Sequence, residues 1–250
     1  MAKKISMKKP QAASRMVPLA PGASALAPGL LWLHESRTLV AADVHFGYEN
    51  AIGAALPAWS TAETASTILV AIEEMRARET VLLGDVVHSS RLSESAAARV
   101  RSALESLRGA AALTIIAGNH EGKSRGAAIL GESVETAERD GWLLLHGDKP
   151  ADPFELARLR GAIIGHLHPS LPLGARATAP AFVAGPRIIA VPAMTPYSSG
   201  LNVTSRACLK ALAMFGDSDP SELHVVAATA ELCYPFGALS ELPKILSSTK

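Results

Sequence analysis

The chain has 250 residues, of which 48% are hydrophobic and 19% are charged, and its formal net charge is +1. This balance excludes a globally disordered chain, and the small net charge excludes a protein that coats nucleic acid by charge alone, although it leaves room for a local basic groove. Aromatic residues make up only 4%, so we expect one large α/β domain whose core is mostly Ala, Leu, Val and Ile.

The N-terminal segment is basic, which is typical of the start of a signal peptide. Its basic residues are Lys3, Lys4, Lys8, Lys9 and Arg15. Prolines interrupt the segment that follows, so no apolar stretch is long enough for a signal peptide or a membrane span. We therefore predict a flexible basic tail over residues 1–29, an ordered domain over 30–250 and a cytoplasmic protein. The tail is interpreted either as a solubilising extension or as a contact to DNA.

Strands and helices alternate in the first two-thirds of the domain. Apolar runs at 30–34 and 38–44 flank a turn-like segment and predict two adjacent strands. The sequence then predicts helices over 62–78, 92–108 and around 153–159, and strands over 80–83, 112–117, 141–146 and 162–165. This alternation indicates βαβ crossovers.

The last third has a different pattern. The segments 182–194 and 223–230 are strand-like, which suggests a second sheet and a two-sheet α/β sandwich. The stretch 170–180 is rich in Pro, Gly and Ala and predicts a surface loop. The two cysteines, Cys208 and Cys233, lack the spacing of a zinc clip, which favours buried free thiols in a reducing compartment.

Five successive predicted strands end in residues that bind metals. They are Asp43 and His45, Asp85, Asn119 and His120, His146, and His166 and His168. Because sites form at the carboxyl ends of strands in open α/β sheets, we expect these residues to converge. Side chains two positions apart on an extended chain point the same way, so each pair can bind one metal or straddle two. Carboxylate and imidazole together suit manganese, iron or zinc rather than calcium.

Each motif has a structural alternative when it is taken alone. A Gly-Asp or Gly-Asn-His sequence can be a simple turn, and an isolated His146 would be interpreted as a core histidine. Six of the eight histidines fall in the set when His88 is counted, whereas His34 and His224 lie in apolar runs and are expected to be structural. The glycines at 84, 118 and 165 are expected to let the chain turn tightly next to an ion.

The order of these motifs, from Asp43 to His168, resembles the calcineurin-like metallophosphoesterase superfamily. The chain is most similar to the bacterial DNA ligase-associated metallophosphoesterases, through the segments 31–43, 84–88, 165–169 and 191–200. The resemblance implies a two-sheet αββα sandwich of the metallophosphoesterase type. It also implies a phosphodiesterase or nuclease that acts on DNA ends or other phosphodiesters in DNA repair, in functional association with an ATP-dependent DNA ligase and a helicase.

The resemblance implies a role for each ligand. Two divalent metal ions are expected, Mn²⁺ in the first place, with Zn²⁺, Fe²⁺ and Mg²⁺ as alternatives. The first ion would be held by Asp43, His45 and His168, the second by Asn119, His146 and His166, and both by the bridging carboxylate of Asp85. A hydroxide between the two metals would be the nucleophile. His120 points away from Asn119 on an extended chain and would act on the substrate or its leaving group.

Three further residues have two interpretations each. His88 is either a structural partner of the ligands or a substrate contact. Lys123 and Arg125 are either phosphate contacts or solvated loop charges.

The alternative functions are a phosphomonoesterase or nucleotide hydrolase of the same mechanism, and a non-catalytic scaffold. The region 180–196 is rich in proline and is interpreted as a substrate rim or a partner surface.

Overall fold

The structure of the protein is a computed structural model that describes residues 12–48, 59–89, 92–119, 129–174, 177–195, 198, 200–216 and 219–243. The helices are α1 (Trp59–Met75), α2 (Glu94–Ala110), α3 (Pro153–Arg158) and α4 (Arg206–Ala213), and a 3₁₀ helix spans Leu239–Glu241. None of the helices in these ranges is long and apolar enough to cross a membrane.

The described strands form two sheets. Those of the first are β1 (Met16–Ala20), β2 (Ala23–Leu26), β3 (Leu30–Leu33), β4 (Thr38–Ala42), β5 (Glu79–Leu83) and β6 (Ala112–Ile116). They lie in sequence order across the sheet, antiparallel from β1 to β4 and parallel from β4 to β6. Helix α2 connects β5 to β6, and Ser93 caps its start by accepting a hydrogen bond from the Ala96 amide.

The second sheet is built from the later part of the chain. Its strands are β7 (Thr136–Arg139), β8 (Trp142–Leu145), β9 (Gly161–Ile164), β10 (Pro169–Pro172), β11 (Thr178–Ala184), β12 (Ile188–Ala190), β13 (Leu201–Asn202), β14 (His224–Ala228) and β15 (Cys233–Ala238). Its centre has the order β11-β12-β9-β8-β7, and β8, β9 and β12 run parallel. Three parallel strands of each sheet therefore bring their carboxyl ends to a common edge.

The core has three apolar layers. One lies between the sheets and includes Leu31, Val81 and Ile163. A second packs α1 and α2 on the outer face of the first sheet, and a third packs α4 on the outer face of the second sheet. The order helix, sheet, sheet, helix confirms the predicted αββα sandwich.

A partly buried ion pair connects the two sheets. The carboxylate of Glu79 in β5 accepts hydrogen bonds of 2.6 Å from Nε and from a terminal nitrogen of Arg139 in β7. The hydroxyls of Thr114 and Thr38 donate to the same carboxylate at 2.6 and 3.2 Å. Burial favours the neutral acid, but these donors and the charge of Arg139 outweigh it and hold the pKa of Glu79 below its ordinary value.

The predicted domain boundary at residue 30 is wrong. Residues 16–20 and 23–26 form β1 and β2, with Val17 and Ala25 buried in the core, and Arg15 pairs with Glu74 of α1. Pro18 suggests an irregular segment, but it lies in an edge strand, where proline is tolerated. Residues 1–11 of the predicted tail lie outside the described residues.

The surface loop predicted at 170–180 is also wrong. Residues 169–172 form β10, which pairs antiparallel with the start of β11. The sequence did not predict β7 and β13, which are short, nor β15, which contains Pro235 and Gly237, nor α4. The prediction of buried free thiols is confirmed, since Cys208 and Cys233 are both buried and burial raises their pKa to about 11.

Candidate metal centre

The strand ends meet where the two sheets face each other. Asp43 and His45 follow β4, Asp85 follows β5, Asn119 follows β6, His146 follows β8, and His166 and His168 follow β9. The sheets are joined at this edge, because the Met194 amide donates a 2.9 Å hydrogen bond to the carbonyl of Ala42, the last residue of β4. The structure therefore brings together seven of the side chains that the sequence singled out.

The first group consists of Asp43, His45 and His168, whose potential ligand atoms all lie within 4.8 Å of one another. Nε2 of His168 lies 3.3 Å from Oδ1 of Asp43. The rings of His45 and His168 meet edge to face, with their centroids 5.3 Å apart. This is the set that the resemblance implies for the first metal.

The second group consists of Asp85, His146 and His166, and its potential ligand atoms also lie within 4.8 Å of one another. Nε2 of His146 lies 3.4 Å from a carboxylate oxygen of Asp85 and 3.2 Å from Nδ1 of His166. The amide oxygen of Asn119 comes within 2.9 Å of the same Nε2. Several donor atoms thus point at one small volume.

Asp43 touches both groups. Its Oδ1 lies 3.7 Å from Nδ1 of His146, and its Oδ2 accepts a 2.9 Å hydrogen bond from the backbone amide of His166. The two groups are therefore adjacent, and a carboxylate of the first group holds the backbone of His166 in the second. Sequence analysis did not predict this second role of Asp43.

The ligand positions have an unusual backbone conformation. Asp43, His45, Asp85, His166 and His168 all have positive φ, between 44° and 59°. Residues other than glycine rarely adopt this left-handed region, and such conformations cluster at functional sites, where the surrounding structure holds them in place. Five of the candidate ligands thus share a backbone conformation that is common at functional sites.

Two glycines next to the candidate ligands leave no room for a side chain. A Cβ at Gly84, whose φ is +74°, would lie 2.0 Å from Nδ1 of His146, and one at Gly118 would lie 2.3 Å from Oδ1 of Asp85. We expected these glycines to permit tight turns near an ion. Their closest contacts show that they make room for the ligands themselves.

The two imidazoles of the second group have pKa values that are shifted in opposite directions. Burial opposes protonation of His146, but the hydrogen bond to Asp85 and the charges of Asp43 and Asp85 outweigh it and raise its pKa. Burial and the neighbouring His146 lower the pKa of His166 despite the same carboxylates. The carboxylates of Asp43 and Asp85 thus outweigh burial at His146 but not at His166.

The residues present fit a divalent cation. Oδ1 of Asp43 is fully buried and has no hydrogen-bond partner among the described residues, although it lies close to His146 and His168. A buried carboxylate oxygen without a partner is costly, and a metal ion would satisfy it. The donors are carboxylate, imidazole and amide groups, which suit manganese, iron and zinc.

His88 and Tyr48 form the outer wall of the first group. Nδ1 of His88 lies 3.3 Å from Nδ1 of His45, and the ring centroids of His88 and Tyr48 are 4.1 Å apart. Sequence analysis singled out His88 but missed Tyr48, whose only signal is that it follows His45 by three residues. His120, Lys123 and Arg125 lie outside the described residues.

Ser198 is a further residue of the site that sequence analysis missed. Its hydroxyl lies 2.6 Å from Nδ1 of His168, on the side of the ring opposite Asp43. A lone serine carries no sequence signal for such a role.

Comparison with known proteins shows the fold. The chain is similar to the crystal structure of the Pseudomonas putida nuclease MPE, with a TM-score of 0.67 and 20% identity over 90% of this chain and 100% of that one. It also matches Yfce, a phosphoesterase from E. coli, with a TM-score of 0.40 and 17% identity over 75% of this chain and 86% of that one. No family profile and no curated protein matches the chain.

Proposed function

We propose that the chain is a two-metal phosphoesterase that hydrolyses phosphodiesters, with DNA ends as the expected substrate class. The observation that carries this proposal is the contact between the two ligand groups, through the 3.7 Å approach of Asp43 Oδ1 to His146 Nδ1. Two adjacent sets of carboxylate and imidazole ligands match the arrangement that two-metal hydrolases require. The shared fold with a Pseudomonas putida nuclease supports the nuclease branch of the proposal.

In this proposal each residue has the role expected from the sequence. Asp43, His45 and His168 would hold one ion, Asn119, His146 and His166 the other, and Asp85 both. Such a pair of cations would supply a water molecule of lowered pKa and neutralise charge on the phosphate. Mn²⁺ is the proposed ion, with Zn²⁺, Fe²⁺ and Mg²⁺ as alternatives, because imidazole nitrogen and carboxylate oxygen are mixed in both groups.

The charge of the ligand set explains why an anion would bind. The described ligands include two carboxylates, Asp43 and Asp85, and both are buried. Two divalent cations would exceed their negative charge, so the loaded site would attract phosphate esters. His120 would then transfer a proton to the leaving oxygen, and His88, Lys123 and Arg125 are the proposed substrate contacts.

The test is hydrolysis of bis(p-nitrophenyl) phosphate by the Mn²⁺-loaded protein. Asp85→Asn keeps the shape of the side chain but removes its charge, and we expect at least about a hundredfold loss of kcat/KM. Asp219→Ala, in an exposed turn where the carboxylate accepts hydrogen bonds from Ser221, is the matched control and should keep full activity. No turnover by the wild type with any divalent metal would overturn the proposal.

Two measurements identify the substrate class: the preference for diester or monoester, and the cleavage of DNA. Higher kcat/KM on the diester than on p-nitrophenyl phosphate supports the phosphodiesterase, and the reverse supports the phosphomonoesterase. Cleavage of DNA with a steep salt dependence would show several phosphate contacts. The association with an ATP-dependent DNA ligase and a helicase stays a prediction of the resemblance, and co-purification of the full chain with these enzymes would test it.

A further inference from the structure

The two ring nitrogens of His168 have different partners. Nε2 faces Asp43 Oδ1 at 3.3 Å, and Nδ1 lies 2.6 Å from the hydroxyl oxygen of Ser198. With Nε2 presenting its lone pair to a cation, Nδ1 carries the ring proton and donates it to Ser198. We propose that Ser198 is a positioning residue that fixes the tautomer and the orientation of His168 for metal binding. This inference rests on the proposed function.

Packing alone does not hold the His168 ring. A cavity of about 170 Å³ is bordered by His168, Ser198 and neighbouring small residues such as Ala193 and Thr195. The side chain of His168 is 19% exposed, whereas that of His146 in the second group is 2% exposed. Because the ring borders this cavity and is partly exposed, the hydrogen bond to Ser198 is a contact that can set its orientation.

Ser198 is itself held in place. Its oxygen accepts a 3.1 Å hydrogen bond from the amide of Gly200, and the next amide, of Leu201, donates to the carbonyl of His168 at 2.9 Å. Strands β10 and β13 then pair in parallel, with Pro169 opposite Leu201. The hydroxyl is therefore fixed relative to the backbone of the histidine that it contacts.

Gly200 makes this close approach possible. Its φ is +69°, and a Cβ at this position would lie 2.5 Å from the carbonyl oxygen of His168. A side chain here would push the segment away from His168 and would separate Ser198 from the ring. The hydroxyl of Ser198 and the absence of a side chain at Gly200 thus both allow the hydrogen bond between Ser198 and His168.

The hydrogen-bond partner of the ring nitrogen that does not bind the metal has a measurable effect on metal affinity. Such partners fix the tautomer and ring orientation, and their loss costs about 10- to 100-fold in metal affinity. Among the candidate ligands that the structure describes, Ser198 hydrogen-bonds His168, which belongs to the first group. We therefore expect its removal to weaken one of the two metals and to leave the other unchanged.

The experiment is a calorimetric titration of the metal-free full chain with Mn²⁺. Ser198→Ala should weaken one of two binding events about 10- to 100-fold. Ser198→Cys, which is nearly isosteric but a weak acceptor, should show the same loss, and Ser198→Thr should restore wild-type affinity. Ser205→Ala is the matched control, because it removes a serine that caps α4 through the Cys208 amide and touches no ligand.

The expected loss of metal affinity can also be followed by spectroscopy. At Mn²⁺ levels that fill both sites of the wild type, electron paramagnetic resonance should show a coupled pair in the wild type and a single ion in Ser198→Ala. Two wild-type affinities in both Ser198→Ala and Ser198→Cys would overturn the inference while the proposed function stands. A wild type that binds no divalent metal would overturn the proposed function, and the inference with it.

Discussion

The imidazole of His146 occupies the space that a side chain at Gly84 would need. A Cβ at Gly84 would lie 2.0 Å from Nδ1 of His146, which is far inside van der Waals contact. Gly84 follows β5 and His146 follows β8, so this contact joins the two sheets at the candidate metal centre. The ligand arrangement thus depends on the absence of a side chain as much as on the ligands.

The first prediction concerns this contact. Gly84→Ala should displace His146 and lower kcat/KM for a diester by at least about a hundredfold, since a misplacement of about 1 Å costs that much at a reacting centre. Gly237→Ala is the control, because φ is +82° there but no atom lies within 4 Å of a Cβ. Equal activities of the two variants, measured on folded protein, would contradict the prediction.

The second prediction concerns stability and metal removal. Asp43 and Asp85 are buried carboxylates, so a bound cation stabilises the folded state. At a metal concentration about 100 times the dissociation constant, each site adds about 2.7 kcal/mol to the free energy of unfolding. For a chain of this length that corresponds to a rise in Tm of roughly 5–11 °C per site, measured by calorimetry with Mn²⁺ and with a chelator.

The control for metal removal is the double variant Asp43→Asn, Asp85→Asn. Its Tm should not respond to Mn²⁺ or to the chelator, because neither group retains its carboxylate. A wild-type Tm that is the same with Mn²⁺ and with chelator would contradict the prediction.

The third prediction concerns the ion pair between Glu79 and Arg139. The pKa of Glu79 is lowered in the folded state, so the pair contributes stability that is present above the unfolded pKa of about 4.3 and is lost as pH falls through the folded pKa. Glu79→Gln should lower the free energy of unfolding by about 1.5–3 kcal/mol at pH 7. Urea denaturation should show that this difference shrinks towards pH 3.

Glu138→Gln is the matched control for that series. Glu138 pairs with Arg158 at the exposed surface, where solvent screens the interaction, so the substitution should change stability little. A difference between wild type and Glu79→Gln that stays constant from pH 7 to pH 3 would show that the pair does not act through the charge of Glu79.

The candidate ligands leave a clearer sequence pattern than the start of the ordered domain, and there is a physical reason. Candidate ligands at strand ends leave a local pattern, because Asp43 and His146 follow an apolar run directly and Asp85 follows one after Gly84. The parallel order of β4, β5 and β6 then brings their ends together. The convergence can therefore be predicted from the sequence, because parallel strands bring their carboxyl ends to one edge of a sheet.

Other features depend on contacts between distant segments. Pro18 fits a strand only because β1 is at the edge of its sheet, which no local pattern reveals. Ser198 matters because β13 pairs with β10 and places it beside His168. The second role of Asp43, as acceptor for the His166 amide, likewise arises from the meeting of two sheets.

The most direct test of the two-metal account is the anomalous scattering of crystals grown with Mn²⁺. We expect two anomalous peaks per chain, about 3.5–4 Å apart as in other two-metal sites. One peak should lie among Asp43, His45 and His168, and the other among Asp85, His146 and His166. A single peak, or none between these residues, would contradict the account.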